Sequence, residues 1–257
     1  MNFKQAFIAF WTILYAEGVR MLRLWKQTLL PPAITSILYF VIFGHVIGTR
    51  IGTMHGFHYA TFIAPGLIMM QMITAAYSAA VFAFYFAKFT RSIEEILVSP
   101  MSNIVILVSY MAVGMMRGLA VGLVVVAVAA IFAELPGYSV LGIIFTSLIS
   151  TAIFSLCGVV NGVFAKKFDD IAIIPNFIIT PLTYFGGVFY SINMLPYGFR
   201  EISLVNPIYY LVDAFRYGFL GFNASMMLTS VCVLVGLFVA AFITAWLIFK
   251  NGAGLRP

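Results

Sequence analysis

Charge is scarce in this 257-residue chain: Asp, Glu, Lys and Arg together make up 9% of it, against about 25% in a soluble domain. A chain that is 63% hydrophobic has too few polar groups to cover its own surface in water, so lipid is its expected solvent. Acidic residues are fewest, eight in all, and all of them fall near the ends of apolar runs or in loops. A proton- or sodium-coupled pump normally carries ionisable relays inside its spans, which argues against a self-powered secondary transporter or channel. Na⁺ held by carbonyls and hydroxyls keeps that alternative open.

No lysine follows a glycine, so the phosphate-binding loop G-x-x-x-x-G-K-[ST] is missing and the chain has no such ATP site of its own. No strained nucleophile motif frames its serines, so no catalytic residue is assigned. His55 and His58 supply only two ligands, too few for a metal site, and read as solvated loop residues. The two cysteines, Cys157 and Cys232, lie in apolar runs and read as small buried residues. The apolar stretch 6–16 is too short, and wrongly flanked, for a cleaved signal peptide. No repeat or linker divides the chain, so one domain is expected over 1–257.

What is present is a series of long uncharged runs. Each is long enough for the roughly 20 apolar residues that cross a bilayer. They predict six helical spans near 29–48, 62–87, 104–132, 138–164, 171–191 and 225–249. With the N-terminus inside, ten Lys and Arg fall on the inner side and three on the outer, leaving out Arg117. Both termini are therefore expected in the cytoplasm. The net charge of +6 reads as this topology signal rather than as a nucleic-acid surface.

Several segments invite two readings. Residues 3–23 are amphipathic and suit a helix lying in the inner interface, apolar face in lipid and basic residues toward headgroups; a mere topology anchor is the other reading. Gly114, Gly118 and Gly122 make a smooth ridge, for packing inside one bundle or for a subunit seam. Between spans two and three, Phe89, Ile93, Ile96 and Leu97 share one helical face and Arg91, Glu94 and Glu95 another, with Pro100 as the stop. Such a helix fits the groove of a partner protein or an interfacial connector. The loop 165–170, with Asp169 and Asp170, is a second partner contact or a solvated turn.

Between spans five and six, residues 192–221 stay apolar and aromatic yet hold Arg200, Glu201, Asp213 and Arg216. Two short re-entrant outer helices account for this, as a gate or as a surface cap. Arg117 lies deep in span three, either snorkelling to headgroups or facing a cavity. Pro175, Pro181, Gly186 and Gly187 mark span five as the flexible, pathway-lining helix, although a static packing kink has the same sequence.

Taken in order, 179–190, Met194-Leu-Pro196 and 206–218 resemble the C-terminal hallmark of type-2 ABC exporter permeases, in particular the bacterial YadH-like branch. Pro31-Pro32, 65–70, 93–97 with Pro100, Arg117-Gly118 and 161–170 extend the resemblance over the whole chain. It implies an all-α integral membrane fold, a six-transmembrane-helix bundle with an N-terminal amphipathic interfacial helix and short re-entrant outer helices before the last span. It also implies a homodimer of permeases working with two separate ABC ATPase subunits, which carry the ATP and Mg, in the bacterial inner membrane. Residues 91–97 then correspond to the coupling helix, Glu94 and Glu95 to its acidic pair, and Asp169 and Asp170 to a second cytoplasmic contact.

Overall fold

The computed structural model describes residues 3–98 and 101–252; the side chains of Phe3, Glu94, Ile96 and Leu97 are outside the described residues, as is Pro100. Among the described residues the order is α1 (Phe3–Arg23), α2 (Trp25–Ile51), a hairpin of β1 (Thr53–Met54) and β2 (Phe57–His58), α3 (Tyr59–Phe89) and α4 (Ser92–Val98). Then follow α5 (Asn103–Phe132), α6 (Val140–Phe164), α7 (Asp170–Phe185), α8 (Phe199–Val205), α9 (Pro207–Leu220) and α10 (Ala224–Asn251). The hairpin turns on His55 and Gly56, with φ of 51° and 85°, the pair of left-handed residues that a tight two-residue loop requires.

Five of these helices, α2, α3, α5, α6 and α10, are long and apolar enough to cross a membrane. They match five expected spans, each starting within a few residues of its predicted position. The fifth predicted span, 171–191, is corrected: its helix stops at Phe185. At about 1.5 Å per residue it covers roughly 24 Å, short of the roughly 30 Å hydrocarbon core. Pro175 and Pro181 have no N–H to give, a π-helical turn occupies Pro175–Ile179, and Gly187 at φ 72° turns the chain out of the helix. Helix α2 is broken in the same manner, by a π-helical stretch at Phe40–Ile47.

The centre of the bundle is α3, flanked by α5 and α6. Its lack of a single apolar stripe follows from burial on all sides, with Phe62, Ile63, Leu67, Ile68, Met69, Ile73, Ala76 and Phe84 fully covered. The glycine ridge of α5 lies inside the chain. A Cβ on Gly114 would strike Ser155 and the Ala76 carbonyl, one on Gly118 would lie 2.9 Å from the Met72 carbonyl, and one on Gly122 would meet Met72 at 2.6 Å. Small residues thus set the helix separation here. Both cysteines lie on exposed helix surfaces, contrary to expectation: an apolar run in lipid presents one of its faces outward.

Candidate functional site

Three places gather the residues of interest: the end of the bundle that carries α4, the opposite end that carries the hairpin and α9, and a cleft between α1 and α5.

At the α4 end, α3 closes at Phe89. The hydroxyls of Thr90 and Ser92 donate to the exposed carbonyls of Phe86 (2.9 Å) and Ala87 (3.2 Å), finishing the helix as polar side chains do at helix ends. Arg91 sits in the joint with φ 59°, outside α4 and not on its polar face. A side chain larger than glycine is uncommon in that left-handed region. Ile93, expected to insert into a partner, is 4% exposed and packs into the cluster of Ala83, Ala87, Ile106, Leu107 and Tyr110. Ile93 is thus covered by its own chain, as an apolar side chain beside a short joint is when the core lies next to it. Glu95 is exposed, as is Arg91. The expectations for Glu94, Ile96 and Leu97 concern side chains outside the described residues.

The loop 165–170 is tied to this same corner. Lys88 donates from Nζ to the carbonyls of Val163 (2.7 Å) and Ala165 (3.4 Å), where α6 ends, as a cation does at a helix C-terminus. The Tyr85 hydroxyl donates to the Lys166 carbonyl at 3.4 Å. Phe168 places its ring 4.9 Å from that of Tyr85 and 5.2 Å from that of Phe89. Asp170 accepts from the backbone N–H of Lys166 (2.8 Å) and of Lys167 (2.9 Å). Those two donors hold its carboxyl below the usual carboxylate range. Asp170 is therefore engaged by its own loop, and Asp169 is the carboxylate of the pair left exposed. Lys88, Tyr85 and Phe168 carried no sequence signal beyond a charge and two rings, because their partners lie some 80 residues away along the chain.

At the hairpin end, α9 is packed inside the bundle rather than laid over it. Asn206 begins it, accepting from the Ile208 N–H at 3.0 Å and donating to the Leu182 carbonyl at 2.6 Å. Asp213 and Arg216, 3% and 4% exposed, are thus buried, on the outer segment that the sequence reads as a gate or a surface cap. They do not pair with each other. Asp213 accepts from Asn223 (3.0 Å) and Ser230 (3.4 Å) at the start of α10. Arg216 stacks 4.1 Å from the Phe62 ring centroid and donates to the carbonyls of Phe62 (3.2 Å) and Gly187 (2.9 Å).

The role of Arg216 follows from the segment after α7. Residues 186–188 are non-helical yet buried, and a backbone carbonyl away from water needs a donor. Arg216 supplies it for Gly187, and the Tyr59 hydroxyl supplies it for Phe189 at 2.8 Å. Gly186 is required because Ile208 lies 2.8 Å from where its Cβ would be, and Gly66 because the Val188 carbonyl lies equally close. Beside this clamp a cavity of ≈ 270 Å³ is lined by Tyr190, Arg200, Tyr209, Asp213, Arg216 and Asn223. His55, read as a solvated loop residue, bonds the Ser191 hydroxyl at 3.0 Å and packs on Phe222.

Arg117 faces a cleft of ≈ 250 Å³ between α1, the start of α2, α3 and α5. Arg20 lies in the same cleft, paired with Glu17 at 3.2 Å and stacked over the rings of Phe82 and Phe86. Helix α1 is amphipathic as expected, with Phe7, Ile8, Trp11 and Tyr15 exposed. Its Arg20 departs from expectation, turning in toward α3 rather than out toward headgroups. Pro175 lines a neighbouring cavity that also touches Arg117. Pro181 borders an apolar pocket against Glu201, Ile202 and Val205 of α8.

A model of the ABC-2 type transporter family matches residues 8–220. The chain is 48% identical over 249 residues to the inner membrane transport permease YadH of Escherichia coli (strain K12), covering 97% of each chain. It is 24% identical over 254 residues to nodulation protein J of Rhizobium leguminosarum bv. viciae, covering 91% of this chain and 93% of the relative. With nodulation protein J of Rhizobium meliloti (strain 1021) the identity is 22% over 222 residues.

Proposed function

The chain belongs to the ABC-2 type transporter family, and from that premise we propose that it is the permease subunit of an ATP-driven exporter whose ATPase is a separate polypeptide. The observation that carries the reading is the α4 corner. A short helix with exposed Glu95 is rooted through Ile93 in the bundle core, beside the end of α3, whose Lys88 holds the end of α6 and whose Tyr85 bonds Lys166 in the loop before α7. A partner that closes on ATP and pushes on this corner moves α4 and the root of α7 together. The bundle then shifts between two arrangements that the partner biases. In this scheme Glu94 and Glu95 give the polar docking contact, and ATP and Mg stay on the ATPase.

The chain is proposed to cross the membrane six times. Helix α7 leaves the corner where Tyr85 meets Lys166 and its continuation ends where Tyr59 meets Phe189. Roughly 24 Å of helix is continued by the buried, non-helical turn 186–188 toward Phe189. This non-helical part suits membrane depth because residues 186–188 are buried and the Gly187 and Phe189 carbonyls are bonded. Bacterial inner-membrane residence is supported by the likeness to the permease YadH, and the cytoplasmic placement of both termini by the Lys and Arg bias. A homodimer is supported by α2 and α7, which meet through Tyr39 and Tyr184 hydroxyls 3.3 Å apart. Both leave large apolar faces uncovered, with Phe177 76% exposed. The cargo proposed is drug-like, lipid-linked or polysaccharide.

Glu94→Arg with Glu95→Arg tests the reading. Membrane yield is expected to be unchanged, with co-purification of the ATPase and stimulated ATP hydrolysis lost; retention of both removes the docking assignment. The rival reading, a self-sufficient secondary transporter, gains from the burial of Asp213. Against it, both carboxylate oxygens of Asp213 are already bonded at one end of the bundle, with no chain of acids leading inward among the described residues. Transport by the purified chain alone in an ion gradient would select that rival.

A further inference from the structure

Arg117 is the fifteenth of the thirty residues of α5, and among the described residues it makes no hydrogen bond and no ion pair. The acid in its cleft, Glu17, is already joined to Arg20. The cleft therefore holds two guanidinium groups against one carboxylate, and the uncompensated charge belongs to Arg117. A charge at this depth is costly unless something pairs with it. Helical side chains lean toward the N-terminus of their helix, so Arg117 reaches toward the α4 end, where α1 passes into α2 and Gln27 and Thr28 complete the wall. Arg20 is drawn into the site by its stacking, its guanidinium 4.8 Å from the Phe82 ring centroid and 4.6 Å from that of Phe86.

We propose that Arg117 and Arg20 form a binding site for a phosphate-bearing anion that enters sideways from the lipid at the α4 end of the bundle. Guanidinium groups suit this ligand because their planar forks match phosphate oxygens two at a time. Gln27 adds a neutral amide donor, while the Thr28 hydroxyl already donates to the Trp25 carbonyl at 3.3 Å. The size also fits: ≈ 250 Å³ lies below the roughly 300–1,000 Å³ of a drug-sized pocket. It admits a headgroup and leaves acyl chains outside, against exposed Leu22 and Trp25. The neighbouring cavity of ≈ 350 Å³, reached past Phe82 and Arg117, touches Ile171 and Pro175 at the root of α7. An anion held by Arg117 thus sits beside the segment that the α4 corner moves. The site stands without the ATPase partnership.

The test uses the purified full chain in detergent, with thermal midpoints followed by intrinsic fluorescence. Its probes are dihexanoyl phosphatidylglycerol, dihexanoylglycerol and inorganic phosphate. Phosphatidylglycerol is expected to raise the midpoint saturably and dihexanoylglycerol to leave it unchanged. In Arg117→Gln the half-saturating concentration is expected to rise roughly tenfold or more, the loss of a charge-assisted bidentate contact. Arg117→Lys keeps the charge and loses the fork, so an intermediate shift is expected; this variant carries the comparison if the glutamine variant fails to fold. A response to inorganic phosphate as strong as that to the lipid assigns the site to a phosphate group whatever its carrier, and a response to the lipid alone assigns it to a headgroup. No response in the wild type, or the same response in wild type and both Arg117 variants, overturns the proposal.

Discussion

Helices α3 and α7 run between the same two ends of the molecule by opposite means. Helix α3 is an unbroken run of 31 residues and is buried nearly throughout, with α5 and α6 drawn against it by glycines that leave no room for a Cβ. Helix α7 is about half as long, carries Pro175 and Pro181, contains a π-helical turn, and buries only Ile179 and Thr183. Close backbone packing resists motion, since an interior at native density yields only in discrete steps. A helix with freed carbonyls and few contacts bends at little cost. One chain thus holds a stiff block and a compliant arm, joined at the α4 corner by Tyr85, which meets Lys166 and Phe168, and at the other end by Arg216.

The largest effect is expected from breaking the block. Gly118→Leu forces a side chain against the Met72 carbonyl and Ala76, an overpacking of about 1–3 kcal/mol or more, with loss of monodisperse protein on size exclusion. Ala172→Leu on the exposed side of α7 adds the same bulk and is expected to leave the elution profile unchanged. Equal damage at both positions erases the distinction between block and arm.

Next comes the joint at the hairpin end. Arg216→Met leaves the Gly187 and Phe62 carbonyls without their donor, about 1–3 kcal/mol for a buried polar group left unpaired, seen as a lower thermal midpoint. Tyr59→Phe, which removes one neutral bond to Phe189, is expected to cost about 0.5–1.5 kcal/mol. The reverse order contradicts the clamp role of Arg216.

The smallest effect on stability is expected at the α4 corner. Lys88→Met removes a cation from the end of α6, at about 1 kcal/mol or less. Transport per ATP hydrolysed is expected to fall while hydrolysis persists, because α3 loses its hold on the end of α6 that leads into α7. Lys166→Met, a solvent-facing neighbour, is the control and is expected to leave that ratio intact.

The sequence announced the block more fully than the arm. Uncharged runs longer than a bilayer needs are legible one residue at a time, so α2, α3, α5, α6 and α10 were found close to their true ends. The end of α7 was misjudged because 186–191 is as apolar as a span. What stops the helix is Gly187 at positive φ, together with donors from Tyr59 and Arg216 that lie far off in sequence. Asp213 and Arg216 stood out as charges in an otherwise apolar outer segment, but nothing in the sequence named their partners. Their real partners, Asn223, Ser230 and two backbone carbonyls, become visible only when α9 is packed inside the bundle. Ile93 was assigned outward because a single helix face does not say which neighbour covers it.

The central claim is that α4 is the contact through which an outside ATPase drives this chain. A photo-crosslinking residue in place of Glu95, in membranes containing the whole complex, tests it most directly. Expected is an adduct with an ATP-hydrolysing subunit whose yield changes between nucleotide-free and ATP-bound states. Adducts confined to lipid or to a second copy of this chain, whatever the nucleotide, would contradict it.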